Sequence, residues 1–342
     1  MNEHMDDELA RQQTVAELDS ITMLKVKFDA GEAAQSKTLF GNGRMQVKVQ
    51  VLIAGADADG NAVHVPPEVM TSIKLIHYDT GRTLRDGWSA STEQGRFTLE
   101  AQTTFALPVS SDDDADDDSP LPQVRTFWVS SSVSGSTRIA ARLTLGGTTI
   151  RSNGTSLSSV HDSSVTLEAQ LPLTYSIEQF RWAAIRRGNE EWGNRIWNHY
   201  LGLYPQGQQI KLVDWIADGV VGDGHIADGN KLRENQANYL DVVLTRPEDS
   251  EYGVSLPYNG SALAYRHYSD AITSESKYYK VRVNDRNGEL TVVQAISEYS
   301  TLSLPSRKGG RFAFRAIDQY GTEHKLAVRM NFSSLTLALE RG

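Results

Sequence analysis

The sequence predicts a mainly β protein: antiparallel β-sandwich modules with a small α-helical insert. Three observations carry that expectation. Eight or nine segments alternate apolar and polar residues with period two, turn residues punctuate them, and a tryptophan-rich stretch in the middle breaks the pattern. The cleanest alternating segment is Met45–Ile53, where Val47, Val49, Val51 and Ile53 fall on one face while Gln46, Lys48 and Gln50 fall on the other. Successive side chains of a strand point to opposite faces, so such a segment lines one side of a sheet.

Residues 1–40 read as an N-terminal arm, with a short amphipathic helix over Asp7–Leu18 formed by Leu9, Val15 and Leu18. Residues 41–175 read as a β-sandwich domain. Its strands are Met45–Ile53, Ala62–Val65, Ile73–Tyr78, Arg96–Ala106, Val124–Val129, Arg138–Leu145, Thr148–Ser152 and Val165–Leu171. Asp79-Thr80-Gly81-Arg82 and Gly146-Gly147 supply turns between them.

Residues 176–250 change character. Ser176 followed by Gln179 has the spacing of a capping box, and Ile177, Phe180, Ala184 and Ile185 keep helical spacing up to Gly188-Asn189. A second helix is expected through Trp192, Ile196, Tyr200 and Leu203, and a third over Lys231–Asp241. Residues 251–342 return to β as a C-terminal domain free to pack with 41–175. There Asn287-Gly288 and Asp318-Gln319-Tyr320-Gly321 mark two hairpins, and Leu335, Leu337 and Leu339 a last strand.

Bulk charge and composition exclude several classes. The net charge of −9 over 342 residues argues against a nucleic-acid or anionic-membrane partner. No cysteine is present, which rules out disulfides, thiol nucleophiles and thiolate-ligated zinc. The first residues lack a basic region followed by an apolar one, so synthesis in the cytoplasm without a signal peptide and incorporation into a particle are expected. No apolar run reaches the roughly 20 residues that span a bilayer.

Four constellations are candidates for chemistry. The aspartates of 112–118 offer hard oxygen ligands, but consecutive aspartates impose no ligand geometry, and the run reads as a solvated loop tip. Asp57, Asp59, Asn61 and Glu68 stand at positions one, three, five and twelve of a calcium-loop spacing. Ala62 replaces the required glycine there, and Pro66-Pro67 sit where a helix would leave the loop; an Asx turn between strands accounts for the same residues. The segment 214–228 gathers Asp218, Asp223, Asp228 and His225 beside Trp215, a composition that suits a metal or glycan site and equally a tight loop. Finally, Trp182, Trp197, Tyr204 and Trp215 belong to an aromatic group of the kind that enriches interfaces and carbohydrate sites, and that at helical spacing equally forms the core of a small helical subdomain. A mixed outcome is expected, with Trp192 and Ile196 inside and one or two of Trp182, Trp197 and Tyr204 at a contact surface.

For enzymes the search is negative. The nucleophile elbow, the paired-histidine zinc motif, the phosphate loop and the dinucleotide fingerprint are all missing; Glu190-Glu191 beside Trp192 would suit a glycosidase, but any acidic protein contains such pairs. No catalytic residue and no cofactor is expected. The chain resembles phage structural proteins in its general make-up, without a motif that identifies a family. The expectation is a non-enzymatic structural or assembly protein, such as a component of a virion or phage-tail-like particle. Its partners would be itself or other subunits. The alternative is a module that binds a glycan or cell-surface receptor through the tryptophan-rich segment.

Overall fold

A computed structural model describes residues 17–29, 34–98, 122–155, 162–188, 190, 193–222, 225–226, 230–234, 239–258, 275–297 and 309–342. The chain divides into two units, Met1–Pro172 and Leu173–Gly342. The first contains β1 (Ser20–Lys27), β2 (Ser36–Phe40), β3 (Gln46–Ala56), β4 (Ala62–Val63), α1 (Pro67–Ser72), β5 (Lys74–His77), β6 (Trp88–Ser91), β7 (Gln123–Ser131), β8 (Gly135–Leu145), β9 (Thr148–Arg151) and β10 (Val165–Gln170).

Its strands form two sheets, one in the order β1-β3-β7-β6 and the other β2-β10-β8-β5, with β4 on β3 and β9 on β8. β2 runs parallel to β10, and every other pair in the two sheets is antiparallel. Two sheets of this kind, packed face to face, make a β-sandwich. The alternation read in Met45–Ile53 is the core-facing pattern of β3: Val47, Val49, Val51 and Ile53 are buried and the intervening residues are partly exposed. Each such side chain contributes about 1.5–3 kcal/mol by leaving water. Leu39, Ile76, Ile139, Leu143, Val165 and Leu167, on the other sheet, are also buried. Gly146 and Gly147 both take positive φ in the two-residue turn between β8 and β9, the backbone that glycine adopts without steric cost.

The second unit contains β11 (Phe180–Arg186), β12 (Asn194–Leu203), β13 (Leu212–Gly222), β14 (His225–Ile226), β15 (Lys231–Glu234), β16 (Tyr239–Leu244), β17 (Glu251–Tyr258), β18 (Glu275–Arg282), β19 (Leu290–Ser297), β20 (Gly309–Asp318), β21 (Glu323–Asn331) and β22 (Thr336–Arg341). A six-stranded sheet, β11-β12-β19-β16-β15-β14, shares one hydrophobic core with a four-stranded sheet, β13-β20-β21-β22. The hairpin β17-β18 covers the opposite face of the six-stranded sheet through a second core, which includes Ile196, Val243, Val254, Val281 and Val293. Every residue of β19 is therefore buried, Val292 in one core and Val293 in the other.

The tryptophan-rich segment is not a helical insert. The capping box exists, with the Ser176 amide donating to Gln179 Oε1 at 2.8 Å, but it closes a single 3-10 turn at Ile177–Gln179 that leads straight into β11. The second expected helix is β12, and the third is the pair β15 and β16. These strands share sheets with the C-terminal segment, since β12 and β16 both pair with β19 and β13 pairs with β20. The one α-helix among the described residues is α1, between β4 and β5. The later part of the expected N-terminal arm is strands β1 and β2, whereas the helix expected over Asp7–Leu18 lies outside the described residues except for its last two positions.

Candidate functional site

The calcium-loop residues fold as a turn. Asp57 Oδ1 accepts the amides of Asp59 and Asn61 at 3.0 and 2.8 Å, and its Oδ2 accepts the Asn61 side-chain amide at 3.1 Å. Those hydrogen bonds, led by the one from the Asn61 side chain, hold the Asp57 carboxyl below its ordinary range. Glu68 belongs to α1. Among the described residues no three histidine or carboxylate side chains cluster as a metal site would require.

The aromatic candidates do not converge on one surface. Trp215 is a core residue, 2% exposed, whose indole Nε1 donates to the Thr245 carbonyl at 2.8 Å while the Arg246 guanidinium lies 4.2 Å over its ring. It cannot serve as a stacking platform for a glycan. Half-buried Trp197 of β12 stands opposite Arg186 of β11 and Gln294 of β19. Asp218 pairs with Arg315 at 2.7 Å, and Arg315 also holds Glu323 at 2.8 Å, a chain of ions across β13, β20 and β21. Asp223, Asp228, Trp192, Glu191 and the Asp112–Asp118 run lie outside the described residues.

Trp182 and Tyr204, by contrast, lead to one place, the outer strand β11. Four side-chain interactions anchor it. Trp182 stacks on His199 with ring centroids 5.0 Å apart. Arg181 lies 4.1 Å over the ring of Tyr204, whose hydroxyl donates to Glu289 at 2.6 Å. Arg186 pairs with Glu190 at 3.7 Å, and Glu190 Oε1 accepts the amides of Gly188 and Ile196, tying the turn between β11 and β12. Arg187, just beyond the strand, reaches both the Tyr200 hydroxyl and Asp285, at 3.3 Å from the latter.

Tyr200 completes that network by donating to Asp285 at 2.8 Å, with Arg286 stacked 3.9 Å over its ring. Burial pushes Asp285 up, but the Tyr200 hydroxyl and Arg187 outweigh it and hold the carboxyl below its ordinary value. Burial, and then the bond to Asp285, raises the Tyr200 phenol. In the sequence, Asp285 and Arg286 belong to a hairpin turn and nothing more. Only the register of β12 against β19 brings them to Tyr200, and no local signal encodes that register.

What the anchors leave uncovered is the strand's own outer side. β11 is the edge of its sheet, pairing only with β12 among the described residues, and Ala183, Ala184, Ile185 and Arg186 are exposed in succession. Ile185 is a large apolar side chain left 42% exposed. Such an edge offers unpaired backbone groups and apolar surface to another chain, unless charge or a bulge blocks it. Here the blocking charges, Arg181 and Arg186, stand at the two ends and leave the middle open.

His199 is expected to make the second unit sensitive to acid. Its Nε2–H donates to Gln294 Oε1 at 2.8 Å, its Nδ1 is buried without a partner, and burial lowers its pKa from the ordinary 6.5. A histidine kept neutral by the fold binds its proton more readily when unfolded. Stability is therefore whole above about pH 6.5 and falls as the pH drops below it. Urea unfolding from pH 7.5 to 5 should show a steeper loss for the wild type than for His199→Gln. Equal slopes would contradict this.

No protein-family model matches the chain, and no curated protein matches it. Among solved structures it is similar to domains 4–9 of the surface layer protein SbsC, with 11% identity and a TM-score of 0.20 over 95% of this chain and 30% of that one. It is also similar to the C-terminal domain of the Streptococcus pyogenes antigen I/II-family protein AspA, at 10% identity and a TM-score of 0.23, covering 92% of this chain and 100% of that one. A third is the collagen-binding domain of the Erysipelothrix rhusiopathiae surface protein RspB, at 8% identity and a TM-score of 0.16, with 95% and 97% covered. Scores this low mark no common arrangement of the whole chain.

Proposed function

We propose that this chain is a non-enzymatic structural protein that enters a larger assembly through protein–protein contacts, as a component of a virion or phage-tail-like particle does. The observation that carries this reading is the anchored, apolar, unpaired edge of β11. An assembly subunit gains from it, because main-chain pairing gives affinity and a pre-ordered strand lowers the entropy lost on contact. The glycan reading loses its main support, because Trp215 lies in the core. The narrower particle role rests on composition and pattern, namely β modules, acidic loops and the lack of cysteine.

Sedimentation velocity of the full chain across a hundredfold range of concentration tests the proposal. The wild type should associate as concentration rises. Ile185→Asp, a change at an exposed position that leaves the fold intact, should shift the midpoint of association upward by about tenfold or more. A wild type that stays monomeric throughout would sink the proposal.

A further inference from the structure

The first unit carries a cleft of about 850 Å³ whose character is opposite to that of β11. Leu18, Ile21, Val69, Leu145 and Ile150 supply the aliphatic part of a lining shared with Ser20, Thr144 and Thr148, contributed by the start of edge strand β1, by α1 and by the hairpin β8-β9. Its charged residues are Glu17, Asp19 and Glu68, all exposed carboxylates, and no lysine, arginine or histidine lines it among the described residues. Like β11, β1 is the outer strand of its sheet. Toward its far end the outer side of β1 is occupied, where the Val26 amide donates to the Ser163 hydroxyl at 2.9 Å.

We propose that β11 of one copy docks into this cleft on the first unit of another copy. The inference rests on the assembly reading above and names its partner. Complementary charge selects the occupant. β11 brings Arg181 and Arg186 and no acidic residue, and the cleft offers three carboxylates and no base. Apolar surfaces match as well: Ile185 supplies an exposed side chain, and the cleft supplies an aliphatic lining. Because the two surfaces differ, each contact pairs β11 of one copy with the cleft of another.

Charge reversal tests the pairing directly. Arg186→Glu and Glu68→Arg are each expected to weaken association of the full chain by about tenfold or more in sedimentation velocity, and a 1:1 mixture of the two variants to regain it. The mixture works because each reversed surface meets its reversed complement and each native surface its native one. Circular dichroism melts separate lost contact from lost fold. Glu68→Arg is expected to match the wild type, whereas Arg186→Glu also loses its ion pair with Glu190 and melts lower, so its recovery of association in the mixture is the deciding readout. Three results would overturn the proposal. If Glu68→Arg associates normally while Arg186→Glu does not, β11 pairs with another surface, such as a second β11. If both associate normally, this pairing is wrong while the assembly reading stands. If the wild type never associates, both fail together.

Discussion

Trp215→Ala should lower the stability of the second unit by about 3–5 kcal/mol, the cost of removing a large aromatic from a packed core plus the cavity it leaves. Trp215 sits in the core between the two larger sheets with Phe312, Phe314, Leu326 and Val328, and it is 2% exposed. The indole also carries a polar duty. Its N–H satisfies the carbonyl of Thr245, a buried residue whose amide and hydroxyl are both committed to the Thr291 carbonyl. Trp215→Phe keeps most of the apolar area but strips that carbonyl of its donor, so it should cost about 1–3 kcal/mol. Urea unfolding followed by far-ultraviolet circular dichroism checks both values. A loss below about 1 kcal/mol for Trp215→Ala would mean that the residue does not sit in a packed core. Any loss of ligand binding in this variant would report unfolding and not a missing glycan platform.

The first unit is largely legible in the sequence, and the physical reason is that its strands are buried on one face only. β3 alternates cleanly because one side of it meets the core and the other meets solvent or loops. β12 defeats the same reasoning. Ile196 packs under the hairpin β17-β18 while Leu201 and Leu203 pack in the core between the larger sheets, so both faces demand apolar residues and the period-two signal is erased. Ile196, Tyr200 and Leu203 then stand at helical spacing by coincidence, and the tryptophans between and before them strengthen the false pattern. β19, buried throughout, keeps a readable strand identity because Asn287-Gly288 announces a turn before it.

The candidate surface is legible in part. Trp182 and Tyr204 stand out in the sequence for their aromatic rings, and both brace β11, but nothing local marks the exposed middle of that strand. Read as a helix, Ala183, Ala184 and Ile185 have no edge to expose. The capping box at Ser176 encourages that reading, yet its hydrogen bond serves a single 3-10 turn as well as a long helix. A local signal sets the start of the element, and the pairing partner, far away in sequence, decides its type.

The same division between local signal and distant partner governs the turn between β20 and β21, where Asp318→Ala is expected to cost about 2–4 kcal/mol. Asp318-Gln319-Tyr320-Gly321 is readable as a hairpin from its composition. Its energetics are not, because they depend on where His324 falls. Asp318 Oδ1 accepts the amides of Tyr320 and Thr322 at 2.9 and 3.0 Å, and Oδ2 accepts Nε2–H of His324 at 3.0 Å. Both side chains of that pair are almost wholly buried, so alanine strands three donors where water does not readily reach. His324 in turn lies against Tyr175 and Phe180, so the loss should spread from the turn toward the entry of β11. Asp318→Asn separates the two duties of the carboxylate. Its Oδ1 still accepts both turn amides, and its Nδ2 can donate to the His324 ring once the ring hydrogen sits on Nδ1 instead of Nε2, so the loss should fall to about 1 kcal/mol. Equal losses for the alanine and asparagine variants in urea unfolding would show that the negative charge, and not the turn's hydrogen bonds, stabilises this end of the sheet.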